Sequence, residues 1–282
     1  MRAMRRVASG DGVSIAVHDL GGARSSEVLL VCHATGFCGR AYQALGDELS
    51  DRFHVLALDF EGHGDSSARP GGTVDWGAMA GDLLAVVDAV SDGSPVAAFG
   101  HSLGGGILML AELARPGTLR AAHLFEPIVL PPGWRGGEGG EPLAESARRR
   151  RSVFSSRADA LYRYASRPPL NVLQAGSLVA YVEHGMEELE DGSVRLKCSP
   201  EHEAATFEGT GKPTFTDLSA VSTPVTVAVG TTERGWTPAV LGPSIVAALP
   251  NGRLERHPLL GHFGPLQGPA TVGAMVLEAL GS

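Results

Sequence analysis

The sequence predicts an α/β fold, in which a mostly parallel twisted sheet is flanked by helices and carries a helical insertion. Short β-rich runs alternate with segments of helical periodicity over the first part of the chain. Strands separated by helices of this length need right-handed crossovers, which produce parallel pairing with helices on both faces. The alternation stops after Ile128 and resumes at Pro224. A length of 282 residues suits a single core with an insertion.

The predicted core comprises residues 1–130 and 222–282. It begins with an antiparallel hairpin at the sheet edge, whose strands 5–9 and 14–19 are joined by Gly10-Asp11-Gly12. Further strands are predicted at 28–32, 55–59, 96–99, 121–125 and 225–229, with helices at 42–50, 76–90 and 103–114. The last unit is predicted to contain a helix at 238–249, a strand at 253–257, a loop with His262 and a helix at 270–280.

Residues 131–221 are predicted to form a helical lid, because a segment of this length without strand alternation is too large for a loop. It opens with a run rich in proline and glycine and continues with helical patterns at 143–154, 157–165 and 178–189. It carries many aromatic and aliphatic side chains, namely Trp134, Phe154, Tyr162, Tyr164, Leu170, Leu173 and Tyr181. This surface predicts a mid-sized hydrophobic substrate.

The composition limits the partners and the compartment. With 31 acidic and 23 basic side chains, the net charge of -8 disfavours nucleic acid and anionic membrane surfaces. The longest apolar stretches are too short to span a bilayer, and the basic N-terminus lacks an apolar signal region. Three cysteines without C-x-x-C spacing suit a reducing compartment. We therefore expect a cytoplasmic monomer or homodimer.

Four consecutive arginines, Arg148-Arg149-Arg150-Arg151, have two possible interpretations. They are compatible with an anionic substrate, but such a run on a helical segment is more often a solvated face. Because Glu141 and Glu145 lie upstream on the same segment, we interpret the run as solvated.

The strongest chemical signal is the run Gly100-His101-Ser102-Leu103-Gly104, which lies between a predicted strand and a predicted helix. This is the G-x-S-x-G nucleophile elbow in its strand-turn-helix context. Small residues flank the serine because its strained backbone brings neighbouring chain close. The turn presents Ser102 at a helix N-terminus, where a developing oxyanion is favoured.

Three further motifs occur in a characteristic order. They are His33-Ala34-Thr35-Gly36-Phe37, Asp59-Phe60-Glu61-Gly62-His63-Gly64-Asp65-Ser66-Ser67 and Leu260-Gly261-His262-Phe263. With the elbow, they resemble the α/β-hydrolase superfamily over nearly the whole chain. The resemblance implies that Ser102 is the nucleophile and His262 its general base, rather than His33, His54, His63 or His101. It also implies that the N–H groups of Thr35 and Leu103 bind the oxyanion, with Phe37 as the alternative to Thr35.

Two carboxylates compete for the role of triad acid. Glu233 in Gly230-Thr231-Thr232-Glu233 occupies the commonest superfamily position, after the strand that follows the lid. Glu126 ends the strand before the lid, the position of the acid in haloalkane dehalogenases and zearalenone lactonases, which this stretch resembles. Glu126 is the favoured alternative because it follows Ser102 by one helix and one strand, and because glutamate is frequent at that position.

No metal or nucleotide cofactor is predicted. His202 with Glu201 and Glu203 lacks a metal-binding helix pattern and is interpreted as surface. No G-x-G-x-x-G run follows the first strand.

The resemblance implies a serine hydrolase of the esterase or lactonase kind that forms an acyl-enzyme on Ser102. Phe37, His101, Trp134 and Tyr162 are the candidate substrate contacts. Chemistry of the dehalogenase and epoxide-hydrolase type is disfavoured, since those branches use aspartate at the position of Ser102. A lyase, a cyclase or a carbon–carbon-bond hydrolase on the same fold stays an alternative, as does a ligand-binding receptor with a residual triad.

Overall fold

The computed structural model describes residues 4–133, 141–231 and 238–281. In these ranges an eight-stranded sheet forms the centre of the molecule. Its strands are β1 (Met4–Ala8), β2 (Ser14–Gly21), β3 (Val28–Cys32), β4 (His54–Leu58), β5 (Val96–His101), β6 (Leu119–Phe125), β10 (Val225–Val229) and β11 (Gly252–Arg256). The predicted strands agree with these bounds to within two residues, because their apolar runs are short and sharply bounded.

The strand order is β1-β2-β4-β3-β5-β6-β10-β11. The pairs β1–β2 and β2–β4 are antiparallel, whereas every later pair is parallel. The carboxyl ends of β3, β5, β6 and β10 therefore meet at one edge of the sheet, where ligands bind in open α/β folds. The strands β5 and β10 are buried throughout, as expected for a sheet covered on both faces.

Helices cover both faces of this sheet. The core helices are α1 (Gln43–Leu49), α2 (Trp76–Ser91), α3 (Leu103–Ala114), α8 (Gly242–Ala248), α9 (Gly264–Gln267) and α10 (Pro269–Leu280). Helices α2 and α3 contribute to the apolar cluster on one face, and α1 and α10 contribute to the cluster on the other face. The predicted helix at 238–249 is divided into a 3-10 turn at Pro238–Leu241 and α8.

The chain between β6 and β10 contains four helices and a small sheet in its described part. The helices are α4 (Glu141–Arg148), α5 (Arg157–Ser166), α6 (Ala175–His184) and α7 (Pro200–Glu208), and the strands are β7 (Val153–Phe154), β8 (Met186–Glu188) and β9 (Val194–Leu196). The three strands form an antiparallel sheet in the order β7-β9-β8. We call this insertion the cap.

The helical lid that the sequence predicts therefore contains, in addition to its helices, three short strands. The predicted helices at 143–154 and 178–189 each end in a strand, because strands of two or three residues are too short to show alternation. Asp191-Gly192, with Gly192 in the left-handed region, lies between β8 and β9 and is a hairpin signal. The boundary at residues 131 and 221 stays a prediction.

Among the described residues, no helix has the length and apolar character required to cross a bilayer.

Candidate active site

Ser102 occupies the sharp turn between β5 and α3. Its φ of 53° and ψ of -113° lie outside the regions that non-glycine residues usually adopt. The turn is held by backbone bonds, since the Ser102 N–H donates to the Phe125 carbonyl and the Ile128 N–H donates to the Ser102 carbonyl. The strained serine therefore stands at the N-terminus of α3, as the elbow motif predicts.

Glycines around Ser102 permit this close packing. A Cβ at Gly104 would overlap the carbonyl group of Cys32 at the end of β3, and one at Gly105 would lie 2.6 Å from Cβ of Pro127. A Cβ at Gly100 would lie 2.7 Å from Cα of Gly105. These close approaches explain why small residues surround the serine in the sequence.

Glu126 and His262 are hydrogen-bonded across the edge of the sheet. His262 Nδ1 lies 2.7 Å from Glu126 Oε2, so the ring donates its Nδ1 proton to the carboxylate and keeps Nε2 as the acceptor. The other oxygen, Oε1, accepts the Gly230 N–H at 2.9 Å. Glu126 is fully buried and has a φ of 45°. The competing acid, Glu233, lies outside the described residues.

His101 is held between two backbone segments of the site. Its Nε2 donates to the His262 carbonyl at 2.8 Å, which leaves Nδ1 to accept the Tyr42 hydroxyl at 2.7 Å. The Tyr42 oxygen in turn accepts the Ala34 N–H at 3.1 Å. Burial, reinforced by the neighbouring His262, holds the pKa of His101 well below its ordinary value. We call this chain of bonds the Tyr42–His101 relay.

The relay changes the interpretation of His101. The ring is fully buried and is absent from the cavity lining described below, so the structure does not place this predicted substrate contact in the cavity. Instead, His101 connects the loop of His262 to the loop of Ala34. Tyr42 gave no signal in the sequence, because a single tyrosine in a predicted helix is most often a core residue.

The loop 33–37 is fixed by its own hydrogen bonds. His33 accepts the Phe60 N–H at Nε2 and donates from Nδ1 to the Ala34 carbonyl. The Phe37 N–H also donates to the Ala34 carbonyl, at 3.2 Å. This bond makes Phe37 a poor alternative as an oxyanion donor and leaves the N–H groups of Thr35 and Leu103 as the candidates.

A cavity of about 680 Å³ opens above Ser102 and His262. Thr35 and Phe37 line the cavity from the core side. Phe37 is one of the predicted substrate contacts. Tyr162, another predicted contact, is absent from the lining and is 77% exposed. Tyr164, two residues further along α5, lines the cavity instead. Trp134 lies outside the described residues.

The arginine run is a solvated face in part, because the side chains of Arg148, Arg149 and Arg151 are 48%, 65% and 43% exposed, whereas that of Arg150 is 23% exposed. Arg149, Arg150 and Arg151 line the cavity, and only Arg148 is absent from the lining. Arg150 is partly buried and forms an ion pair with Glu203 and a bond of 2.9 Å to the Tyr181 hydroxyl. The predicted exposure of the run is thus found for three of its members, but helical periodicity could not show that the run also borders a cavity between the cap and the core.

The acidic-histidine cluster of the cap has a structural role. The His202 Nε2 donates to the Glu61 carbonyl at 2.9 Å and its ring is partly buried. The Glu203 carboxylate is buried against Gly36, so the prediction of a surface position is wrong for Glu203. A second cluster, His18 with Asp59 and Asp65, has metal-like spacing. However, Asp59 already accepts the N–H groups of Gly39 and Asp65.

The fold and this site define the α/β-hydrolase class. Residues 23–234 match the serine aminopeptidase S33 family. The chain therefore belongs to that family.

Curated relatives match only part of the chain. Human monoglyceride lipase is 33% identical over 107 residues, which are 36% of this chain and 35% of the lipase. Lipase LipV of Mycobacterium tuberculosis is 35% identical over 101 residues, which are 36% of this chain and 37% of the lipase. The chain thus matches about a third of the length of these relatives.

Solved structures match the whole chain at low identity. E-2-(acetamidomethylene)succinate hydrolase has a TM-score of 0.83 at 20% identity, with 100% of both chains covered. The thioesterase domain from the curacin biosynthetic pathway has a TM-score of 0.80 at 18% identity, with 98% of this chain and 99% of that chain covered. At these identities the likeness shows the fold alone.

Proposed function

We propose that the protein is a serine hydrolase that cleaves an ester, lactone or related acyl bond of a mid-sized substrate. One observation carries the proposal: the strained Ser102 and His262 line one cavity, and the Nδ1 of His262 is bound to the buried carboxylate of Glu126. A hydroxyl in this setting acquires a base that can accept its proton. The names of the partly matching relatives, both lipases, support ester substrates.

In the proposed mechanism, Ser102 Oγ attacks the carbonyl carbon while His262 Nε2 accepts the hydroxyl proton. The resulting oxyanion accepts hydrogen bonds from the backbone N–H groups of Thr35 and Leu103. The bond to the leaving group then breaks, and His262 returns the proton to that group. Water attacks the acyl-enzyme with His262 again as base, which releases the acid and restores Ser102.

The electrostatics support the direction of these steps. Glu126 stabilises the positive charge that develops on His262, and it fixes the tautomer in which Nε2 faces the reaction. The N-terminus of α3 adds a favourable potential for the oxyanion. The cytoplasm stays the proposed compartment, because Cys32, Cys38 and Cys198 are free, buried thiols.

The reaction class can be tested with 4-nitrophenyl esters and lactones in water enriched in ¹⁸O. We expect one solvent oxygen in each carboxylic acid product, and loss of turnover in Ser102→Ala without loss of folding. A product that lacks solvent oxygen would instead indicate a lyase or cyclase. Acylation followed by very slow release on every ester would indicate a receptor with a residual triad.

A further inference from the structure

The cavity above Ser102 carries a charge opposite to that of the whole molecule. Six cationic side chains line it, and among the described lining residues Glu203 is the sole carboxylate. The cations are Arg149, Arg150, Arg151, Arg163, Arg167 and Lys212. The complete chain has a net charge of -8. A positively lined cleft in an acidic protein concentrates anionic ligands, because its low-dielectric walls focus the field.

Half of these cations are neutralised by the protein itself. Arg149 pairs with Glu145, Arg150 pairs with Glu203, and Arg151 pairs with Asp159 at 2.7 Å. The Arg149 pair lies within α4 and the residue after it, whereas the pairs of Arg150 and Arg151 connect the loop after α4 to α7 and α5.

The remaining cations, Arg163, Arg167 and Lys212, form no close ion pair within the part of the chain that the structure describes. Arg163 lies on α5 and Arg167 is the extended residue that directly follows its last turn, and both line the cavity. Lys212 donates to the Phe207 carbonyl at 2.7 Å and lies 5.5 Å from the centroid of the Trp76 ring. Its positive charge is also attracted by the Glu208 carboxylate, so Lys212 is less available to a ligand than the two arginines.

An unpartnered hydroxyl lies on the same helix. The Tyr164 oxygen is buried and has no hydrogen-bond partner among the described residues, although Tyr164 lines the cavity. A buried polar atom without a partner is costly, and a bound ligand is one way in which it is satisfied. Tyr164 lies between Arg163 and Arg167 in the sequence, which places three potential donors on one short segment.

We propose that the substrate carries an anionic group, a carboxylate or a phosphate, which Arg163 and Arg167 bind at the cap side of the cavity. Guanidinium groups suit both anions, because their N–H donors match the spacing of two anionic oxygens. The apolar residues between the cap and Ser102 contact the middle of the substrate. This inference rests on the proposed function and specifies its substrate class.

The carboxylate arm of the test compares two matched esters. Mono-4-nitrophenyl esters of succinic, adipic and suberic acid carry a free carboxylate, and their methyl diesters are the neutral partners. We expect wild-type kcat/KM to favour the free acid by at least about 10-fold at the best chain length. In Arg163→Gln/Arg167→Gln this preference should fall about 10-fold or more, as the loss of charge-assisted hydrogen bonds predicts.

The control variant is Arg157→Gln, on the same helix. Arg157 pairs with Glu188 at 3.0 Å and is absent from the cavity lining. For this variant we expect the ratio of kcat/KM for the free acid to kcat/KM for the methyl diester to equal the wild-type ratio. Raising the salt concentration should weaken the preference in wild type and in this control, because ions screen the attraction.

The phosphate arm compares thioesters of 4′-phosphopantetheine and of N-acetylcysteamine with the same acyl group. A preference for the phosphorylated thioester that is lost in the double variant would place the anion on the leaving group. A preference in the dicarboxylate series alone would place it on the acyl chain.

Two other results have separate meanings. Equal kcat/KM for the charged and the neutral compounds in both arms would overturn the inference and leave the proposed function intact. An equal loss of the preference for the charged compound in Arg157→Gln and in the double variant would have the same meaning. Failure to hydrolyse any of these compounds, together with no labelling of Ser102 by a fluorophosphonate, would overturn the proposed function itself.

Discussion

At the scale of single residues, the carboxylate of Glu126 is the most constrained group of the site. It is fully buried, and its two oxygens are bound by His262 and by the backbone of Gly230. A buried carboxylate with both oxygens occupied cannot rotate away from the histidine without leaving a donor unpaired. This fixed position suits a group that must stabilise an imidazolium during turnover.

Replacement of Glu126 tests this role. We expect Glu126→Gln to lower kcat by about 10⁴-fold, because the amide neither stabilises the imidazolium nor enforces its tautomer. Glu233→Gln is the matched comparison and should retain most of the activity on the same ester at neutral pH. The reverse ranking would assign the acid to Glu233, and equal partial losses would mean that each carboxylate reaches His262.

The sequence could not decide between these two carboxylates, for a topological reason. Strands β6 and β10 are neighbours and parallel, so the residues that follow them emerge side by side at one edge. Both candidates therefore satisfy the spacing that a triad requires. The choice depends on backbone conformation, such as the φ of 45° at Glu126, which no sequence pattern at this position indicates.

The Tyr42–His101 relay permits a second test at this scale. Tyr42→Phe should lower the free energy of unfolding by about 1–3 kcal/mol, because the Ala34 N–H and His101 Nδ1 lose their partner inside the protein. Tyr162→Phe removes an exposed hydroxyl and should change it by less than about 0.5 kcal/mol. Urea unfolding measures the change in the free energy of unfolding for both variants. Equal changes would show that the buried hydrogen bonds of Tyr42 contribute little to stability.

At the scale of elements, the position of Ser102 depends on how closely α3 approaches β3. The first turn of α3 packs against the Cys32 carbonyl group at Gly104, where no side chain fits. A helix that begins elsewhere would move the nucleophile relative to the loop of Thr35.

Two substitutions of glycine by alanine test this packing with opposite expected signs. Gly104→Ala should destabilise the protein by about 1–3 kcal/mol and reduce kcat, since the backbone of β3 must move. Gly81→Ala lies on the exposed face of α2, where a Cβ meets no atom within 4 Å, and should stabilise by about 0.5–1 kcal/mol. Thermal unfolding and ester turnover provide both readouts, and equal tolerance at the two sites would contradict this packing.

The elements of the core were predictable to a greater degree than those of the cap. Buried parallel strands have apolar runs with clear ends, and the glycines of the elbow indicate both the turn and the start of α3. In the cap, α5 places Tyr164 at the cavity and Tyr162 in solvent, a rotation that depends on how the cap packs on the core. For the same reason, the sequence indicated that the arginine run is exposed but not that three of its members also line the cavity.

At the scale of the whole molecule, several buried histidines couple stability to pH. Burial lowers the pKa of His33, His63 and His101, so the native state keeps these rings neutral below pH 6.5. The unfolded chain takes up protons near pH 6.5, and it therefore binds more protons than the native state below that pH. Stability must then fall as the pH decreases from about 6.5.

Urea unfolding at pH 7.5 and 5.5 measures this coupling. We expect a lower free energy of unfolding at pH 5.5, with a limiting slope of about 1.4 kcal/mol per pH unit for each ring that stays neutral. Burial raises the pKa of the Glu61 and Asp82 carboxyl groups, so the native state binds protons there more readily than the unfolded chain does. These two groups therefore increase the free energy of unfolding as the pH falls further into the acidic range. Equal or greater stability at pH 5.5 would contradict the neutral, buried state of the three histidines.

Acylation of Ser102 is the step on which the proposed mechanism depends. The protein is mixed with 4-nitrophenyl butyrate, quenched with acid within milliseconds, and analysed by intact mass and peptide mapping. We expect the mass of one butyryl group on the peptide that contains Ser102, and no added mass in Ser102→Ala. A butyryl group on a different residue, or turnover by Ser102→Ala within a few-fold of wild type, would contradict an acyl-enzyme on Ser102.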